Sequence, residues 1–181
     1  AWRAALGPVD WSVFLLGSTG CRKSTVAALV QSLWGPVTWD SLPESWESTP
    51  NALEAAAHLA KDALLTIDDY RPRGSRYERD RIAVAADRVL RSAANGAGRG
   101  RCTIDGSRIG TRRARGLILT TGEELPEGAS LVARMLVVDV RPRDVDLDAL
   151  SEAQRDAAAG AYARALGSFL RSEAAGYGAR L

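Results

Sequence analysis

Residues 11–34, WSVFLLGSTGCRKSTVAALVQSLW, constrain the fold more than any other stretch of this 181-residue chain. WSVFLLG is a short apolar run ending in glycine, the pattern of a buried parallel strand. KSTVAALVQSLWG continues with helical spacing at Val26, Leu29, Val30 and Leu33, and Gly35-Pro36 stops it. Between strand and helix lies GSTGCRKST, residues 17–25. A loop in that setting turns backbone N–H groups and a helix N-terminus toward one point, which suits a phosphate chain. Gly17, Lys23 and Ser24 hold their places in the pattern Gly, four residues, Gly-Lys-Ser/Thr, but Arg22 stands where the second glycine belongs. Glycine there lets the backbone approach a phosphate unhindered. Arg22 still donates its amide if its backbone angles are ordinary and its side chain points outward, and it then adds charge at the mouth of the site. On this reading Gly17, Ser18, Thr19, Gly20, Cys21, Arg22, Lys23, Ser24 and Thr25 cradle a nucleotide. Lys23 reaches the β and γ phosphates of ATP, and Ser24 ligates Mg²⁺.

Phosphoryl transfer to water also needs a second metal-binding group and a residue that orients the water. ALLTIDDY is an apolar strand that ends in two carboxylates: Asp68 for the Mg²⁺ shell and Asp69 as the base. Glu is usual in the second place, and Asp is one methylene shorter, so slow turnover is expected. LILTTGE is a third apolar strand ending in hydroxyls, and Thr120 or Thr121, with Thr121 preferred, suits a γ-phosphate contact. The bland alternative for each strand end is ordinary turn chemistry.

The remaining pattern alternates strands with helices, which predicts one α/β domain with a largely parallel sheet. A helix starts near Asn51 with Thr49 or Asn51 as its cap and runs through NALEAAAHLAKDA; PVTWDSLPESWESTP before it reads as short strand and loop. Ile82, Ala85, Ala86, Val89 and Leu90 mark one face of a long helix stopped by Asn95-Gly96. Asp105-Gly106 is a two-residue hairpin signal, and LVARMLVVDV is a further strand. Ser151-Glu152-Ala153-Gln154 reads as a capping box, with Ala157, Ala158, Ala161, Ala165 and Phe169 as the apolar stripe of the helix it starts. His58 is the only histidine and Cys21 and Cys102 the only cysteines. They are too few for a zinc centre, a Ser-His hydrolase or a disulfide framework, so His58 reads as a surface or packing residue.

Taken together, GSTGCRKST, WESTPNALEAAAHLAKDALLTIDDY, NGAGRGR and LILTTGE with ARMLVVDV resemble the domain-of-unknown-function family numbered 927. Its members look like ATPases of superfamily 3 helicase or AAA+ type from mobile-element and phage-like replication proteins. The resemblance implies a P-loop NTPase three-layer sandwich with its five strands in the order 5-1-4-3-2, a ring commonly of six subunits, and a role on DNA. It also implies Arg134, just before the last strand, as an arginine finger acting on a neighbour's site. Superfamily 3 helicases are similar in placing a β-hairpin before the hydroxyl-bearing strand, at about residues 99–116 here. That puts Arg99, Arg101, Arg108, Arg112, Arg113 and Arg115 toward single-stranded or forked DNA.

Charge distribution fits that placement. Residues 71–115 carry thirteen Arg against Glu78, Asp80, Asp87 and Asp105, in a chain whose net charge is only +2. The bland alternative is a solvated loop in an Arg-rich protein. No apolar run approaches the ~20 residues of a membrane span, so no membrane partner and a cytoplasmic location are expected. A start at Ala1 inside running sequence reads as a single-domain piece of a longer protein. The reading is a Mg²⁺-dependent ATPase motor module acting on DNA. Its rivals are a nucleotide-gated module without turnover and a small-molecule kinase.

Overall fold

A computed structural model describes residues 9–96, 99–102 and 108–177. Its centre is a five-stranded sheet of β1 (Ser12–Leu16), β2 (Glu44–Ser45), β3 (Leu64–Tyr70), β6 (Leu117–Gly122) and β7 (Met135–Asp139), in the order β2-β3-β6-β1-β7. Every pair in it is parallel. With the hairpin strands β4 (Arg99–Cys102) and β5 (Arg108–Arg112) set aside, this is the expected order 5-1-4-3-2 read from the other edge. The hairpin forms its own antiparallel pair, Arg99 opposite Arg112 and Cys102 opposite Arg108. The expected Asp105-Gly106 turn lies outside the described residues.

Helices α1 (Lys23–Gln31), α2 (Pro50–Leu59), α3 (Arg76–Asn95), α4 (Ala129–Val132), α5 (Leu147–Ala158) and α6 (Ala161–Tyr177) complete the fold. Strand side chains alternate between faces, and the core divides accordingly. Phe14, Leu65, Ile67 and Ile118 pack with Trp46 and with Leu53, Ala86, Val89 and Leu90 of α2 and α3. Leu15, Leu64, Leu117 and Leu119 pack on the opposite face with Ala27 of α1 and Cys21. The seam of α1 is Ala27, Ala28 and Gln31, with Val26 and Val30 flanking it, because small residues let the helix lie close to the strands. Gln31 also substitutes for a missing strand. Strand β2 first pairs with β3 at Ile67, so below that point the edge of β3 has free backbone groups. The Gln31 carboxamide accepts from Thr66 N at 3.1 Å and donates to Leu64 O at 3.3 Å, which satisfies them.

Helix ends follow local chemistry with two departures from expectation. Thr49 caps α2 with Pro50 at its first position, and the helix stops at Leu59, short of the expected Ala63. Helix α5 begins four residues ahead of the expected capping box. The Asp146 carboxylate accepts from Asp148 N and Ala149 N, while the Ser151 hydroxyl donates back to Leu147 O at 2.7 Å. Gly160, at φ 72, then separates α5 from α6, so the expected alanine stripe belongs to two helices. Helix α3 ends as expected, with Gly96 left-handed after Asn95, and its start is a capping box of Ser75 and Glu78.

Two features lock the sheet end that carries the polar residues. Tyr70 meets Phe14 and Trp46 edge-on, at ring centroid distances of 6.1 and 5.7 Å, contacts that each add about 0.5–1.5 kcal/mol beyond buried area. Gly17 packs so closely on β7 that a Cβ there would lie 2.2 Å from Val140 O. In the same corner Val140 N donates to Leu16 O at 2.7 Å.

Candidate functional site

Strand β1 delivers its chain to the loop 17–22 at the carboxyl end of the sheet, and α1 leaves from it at Lys23. The loop folds around the lysine. Lys23 Nζ donates to Gly17 O and Ser18 O, both at 2.8 Å, and the side chain is buried. Gly20 is at φ 89, a conformation glycine adopts freely. Arg22 departs from expectation: its backbone is not ordinary but left-handed, at φ 64 and ψ 20. Turning from the loop into α1 demands that angle, and a non-glycine residue there bears a cost of about 1–2 kcal/mol. The Arg22 side chain is exposed, so its charge does stand at the mouth of the loop.

Opposite the loop, β3 and β6 bring up the carboxylates and hydroxyls. Asp68 Oδ1 accepts from Ser24 Oγ at 2.9 Å and from Thr121 Oγ1 at 2.5 Å. The Thr121 oxygen in turn accepts from Asp69 N at 3.0 Å. Four residues from α1, β3 and β6 thus form one connected chain. Thr120 points to the other face of β6, where its oxygen accepts from the buried Trp46 Nε1 at 2.7 Å, so of the two threonines only Thr121 faces the loop. Asp69 is exposed and also left-handed, at φ 58. Burial of its surroundings, and then the neighbouring Asp68 charge, raise its pKa above the usual aspartate value; Arg71 acts the other way.

Lys23, Ser24, Asp68, Asp69 and Thr121 line a cleft of about 540 Å³ together with Thr19, Arg22, Arg71, Glu123 and Trp39. Glu123 was not among the residues singled out from sequence. It accepts from Thr19 Oγ1 and from Arg73 Nη2, with Arg71 4.0 Å away. The Thr19 hydrogen bond, then the Arg73, Arg71 and Lys23 charges, hold its carboxyl below the usual glutamate value. Cross-strand register puts it there: Tyr70 pairs with Gly122, so the next residue emerges beside the carboxylate strand, and no local pattern in LILTTGE announces it.

The donor set suits a hard cation. Among the described residues no group of three or more His, Cys, Asp or Glu gathers as a metal cage. One carboxylate with an adjacent hydroxyl is what Mg²⁺ needs when phosphates and water supply its other ligands. Ser24 and Asp68 are in contact and could hold such an ion between them.

Arg134 lies apart from this cleft, its Nη1 donating to Ser130 O in the turn before β7. Arg112 and Arg113 are exposed at the end of the hairpin nearest the sheet, and Arg99, Arg101 and Arg108 lie on its strands. Arg115 behaves differently from these, because its Nε donates to His58 O at 2.7 Å and braces α2. His58 packs there too, with Nδ1 2.9 Å from Arg113 O. No helix among the described residues is long and apolar enough to cross a membrane.

A family model described as "Domain of unknown function (DUF927)" matches residues 11–113, more than half of the chain. No curated protein matches. Among solved structures, "SCCmec type IV Cch - active helicase" is similar over 80% of this chain and 26% of its own, at 19% identity and a TM-score of 0.48. "The X-ray structure of JCV Helicase" is similar over 76% of this chain and 37% of its own, at 17% identity and a TM-score of 0.44. The match therefore spans about a quarter of the first solved chain and somewhat over a third of the second.

Proposed function

The chain belongs to the DUF927 family, and from that premise we propose that it is a Mg²⁺-dependent ATP-hydrolysing module of a helicase-like DNA motor, working within a longer replication protein of mobile-element or phage type. One observation carries the reading. The hydroxyls of Ser24 and Thr121 converge on one Asp68 oxygen directly beside a lysine held in a glycine-bearing loop. That convergence, at the carboxyl end of the sheet beside Lys23, supports a site for a metal-bound phosphate chain.

Lys23 is bound only to carbonyl oxygens, so it is free to exchange them for the stronger acceptors of a β,γ-phosphate. Ser24 and Asp68 would hold Mg²⁺, which neutralises the charge developing on the leaving phosphate. Asp69, exposed at the cleft, would orient the attacking water, with its position fixed through its own N–H on Thr121. Arg134 lies outside its own cleft, in keeping with a finger that serves a neighbouring subunit of a homo-oligomeric ring. The hairpin arginines would follow the backbone of single-stranded or forked DNA.

A second reading is favoured by a specific pair of residues. Arg22 and Asp69, the two departures from the usual pattern, are both left-handed, and that strain would suit a site that binds ATP without turning it over. Titration with MgATP alongside steady-state phosphate release, with and without single-stranded DNA, separates the two. Release stimulated by DNA supports the motor; tight binding with no release in either condition supports the gated module. Absence of MgATP binding would remove both readings.

A further inference from the structure

Behind the phosphate cleft lies a second pocket, of about 290 Å³, whose chemistry is the opposite of the first. Ala28 and Leu29 of α1, Val37 of the loop after it and Ala157 of α5 make apolar walls, and no charged side chain lines it among the described residues. Thr25 and Trp39 line both spaces, so the two adjoin at the first turn of α1. Trp39 is the feature that calls for explanation. Trp46 is wholly buried, whereas Trp39 leaves 60% of its surface open. Its loop is nevertheless braced: Thr38 N donates to Ser41 Oγ at 2.9 Å, Ser41 N to Thr38 O at 3.1 Å, and Thr38 Oγ1 to Asp40 Oδ1 at 2.6 Å. An aromatic face held open on a braced turn, at the boundary of a charged cleft and an uncharged pocket, suits a ligand that is anionic at one end and flat and neutral at the other.

We propose that this pocket takes the base of an adenine nucleotide, stacked on Trp39 and read by the Gln154 side chain, while its phosphates lie in the loop of residues 17–25. The proposal rests on the nucleotide reading given above and adds the specificity-determining residues to it. Gln154, exposed at the rim on α5, offers a donor and an acceptor side by side, which match the amino group and ring nitrogen of adenine. No carboxylate lines the pocket to accept from the N–H donors of guanine. Residues Ala28 and Leu29 lie about one helical turn beyond Ser24, so a base beside them and phosphates at the loop belong to one molecule of nucleotide length.

The test uses calorimetric titration of the full chain with MgADP, MgGDP and inorganic tripolyphosphate. Stacking a base on an aromatic side chain is worth roughly 5- to 150-fold in affinity. Trp39→Ala should weaken MgADP binding by that much and leave tripolyphosphate binding unchanged, and Trp39→Phe should restore most of the loss. Gln154→Ala should narrow the preference for MgADP over MgGDP. The proposal is overturned if Trp39→Ala binds MgADP as the wild type does, or weakens both ligands equally, or if the wild type takes MgADP and MgGDP alike. Tripolyphosphate binding with no gain from the base sinks the pocket alone. Failure of the wild type to bind any of the three ligands would instead remove the phosphate site, and the base pocket with it.

Discussion

At position 22 the backbone conformation and the side chain disagree. The loop turns into α1 through a left-handed residue, and the chain has placed arginine there. Left-handed backbone costs a non-glycine residue about 1–2 kcal/mol, part of which glycine returns through its freer unfolded state. Arg22→Gly should therefore stabilise the ligand-free protein by up to about 1 kcal/mol, read from urea unfolding midpoints. A loss of stability would mean that the guanidinium holds the loop by a contact of its own. Asp69 is under a related tension. Partial burial and the Asp68 charge raise its pKa, so folding disfavours its charged form and favours its neutral one. Relative to a neutral side chain, that contribution is complete below the ordinary aspartate value and is lost as pH rises through the raised one. Asn also tolerates left-handed backbone. Asp69→Asn should hence melt above the wild type at pH 7, with the gap narrowing toward about pH 4, near the ordinary aspartate value, while ATP still binds and hydrolysis stops. Equal melting at both pH values would contradict the electrostatic account, and retained turnover would assign the water to another residue.

Strand parity explains which residues meet. Leu64, Thr66 and Asp68 share one face of β3, and Leu117, Leu119 and Thr121 share the same face of β6; it is the α1 face, where Ser24 waits. Thr120 has the other parity and belongs to Trp46. Thr120→Val should leave a buried indole N–H unpaired and cost about 1–3 kcal/mol, with ATP binding unchanged. Thr121→Val should disturb the site far more than the fold. Denaturant melts beside nucleotide titrations distinguish the pair, and a site defect in Thr120→Val would refute the parity argument. Much of this was legible in the chain. The strand–loop–helix signal, the DD strand and the buried face and stop of α3 each rest on local sequence, and all three stand where the sequence puts them. What was not legible depends on neighbours. A short strand within residues 36–50 was expected, but its confinement to Glu44–Ser45 is set by its pairing with β3. Asp146 and Ser151 are both sound caps locally, and packing at the buried Leu150 selects the first. Glu123 became part of the site through cross-strand register, and Trp39 through the shape of the loop that holds it.

On the scale of the molecule, the hairpin is fastened at its base. Ala114 N donates to Ser92 Oγ at 3.0 Å, Arg115 N to Ala57 O at 3.1 Å, and the Arg115 side chain to His58 O, so α2 and α3 both grip it. Arg112 and Arg113, just ahead of those clamps, are exposed. If they meet phosphates, replacing both with Ala should weaken single-stranded DNA binding and flatten the plot of log affinity against log salt by roughly 1.4, since each contact contributes about 0.7. An unaltered slope, measured by fluorescence anisotropy across a salt series, would leave the two arginines as solvated surface. The far edge of the sheet carries a mechanical consequence of its own. Strand β7 begins just after Arg134, and the carbonyl of Val140 just beyond its last residue sits where any side chain at Gly17 would have to go. Displacing that strand along its axis would therefore carry the loop of residues 17–22 with it, because backbone meets backbone there with no side chain between to absorb the slip.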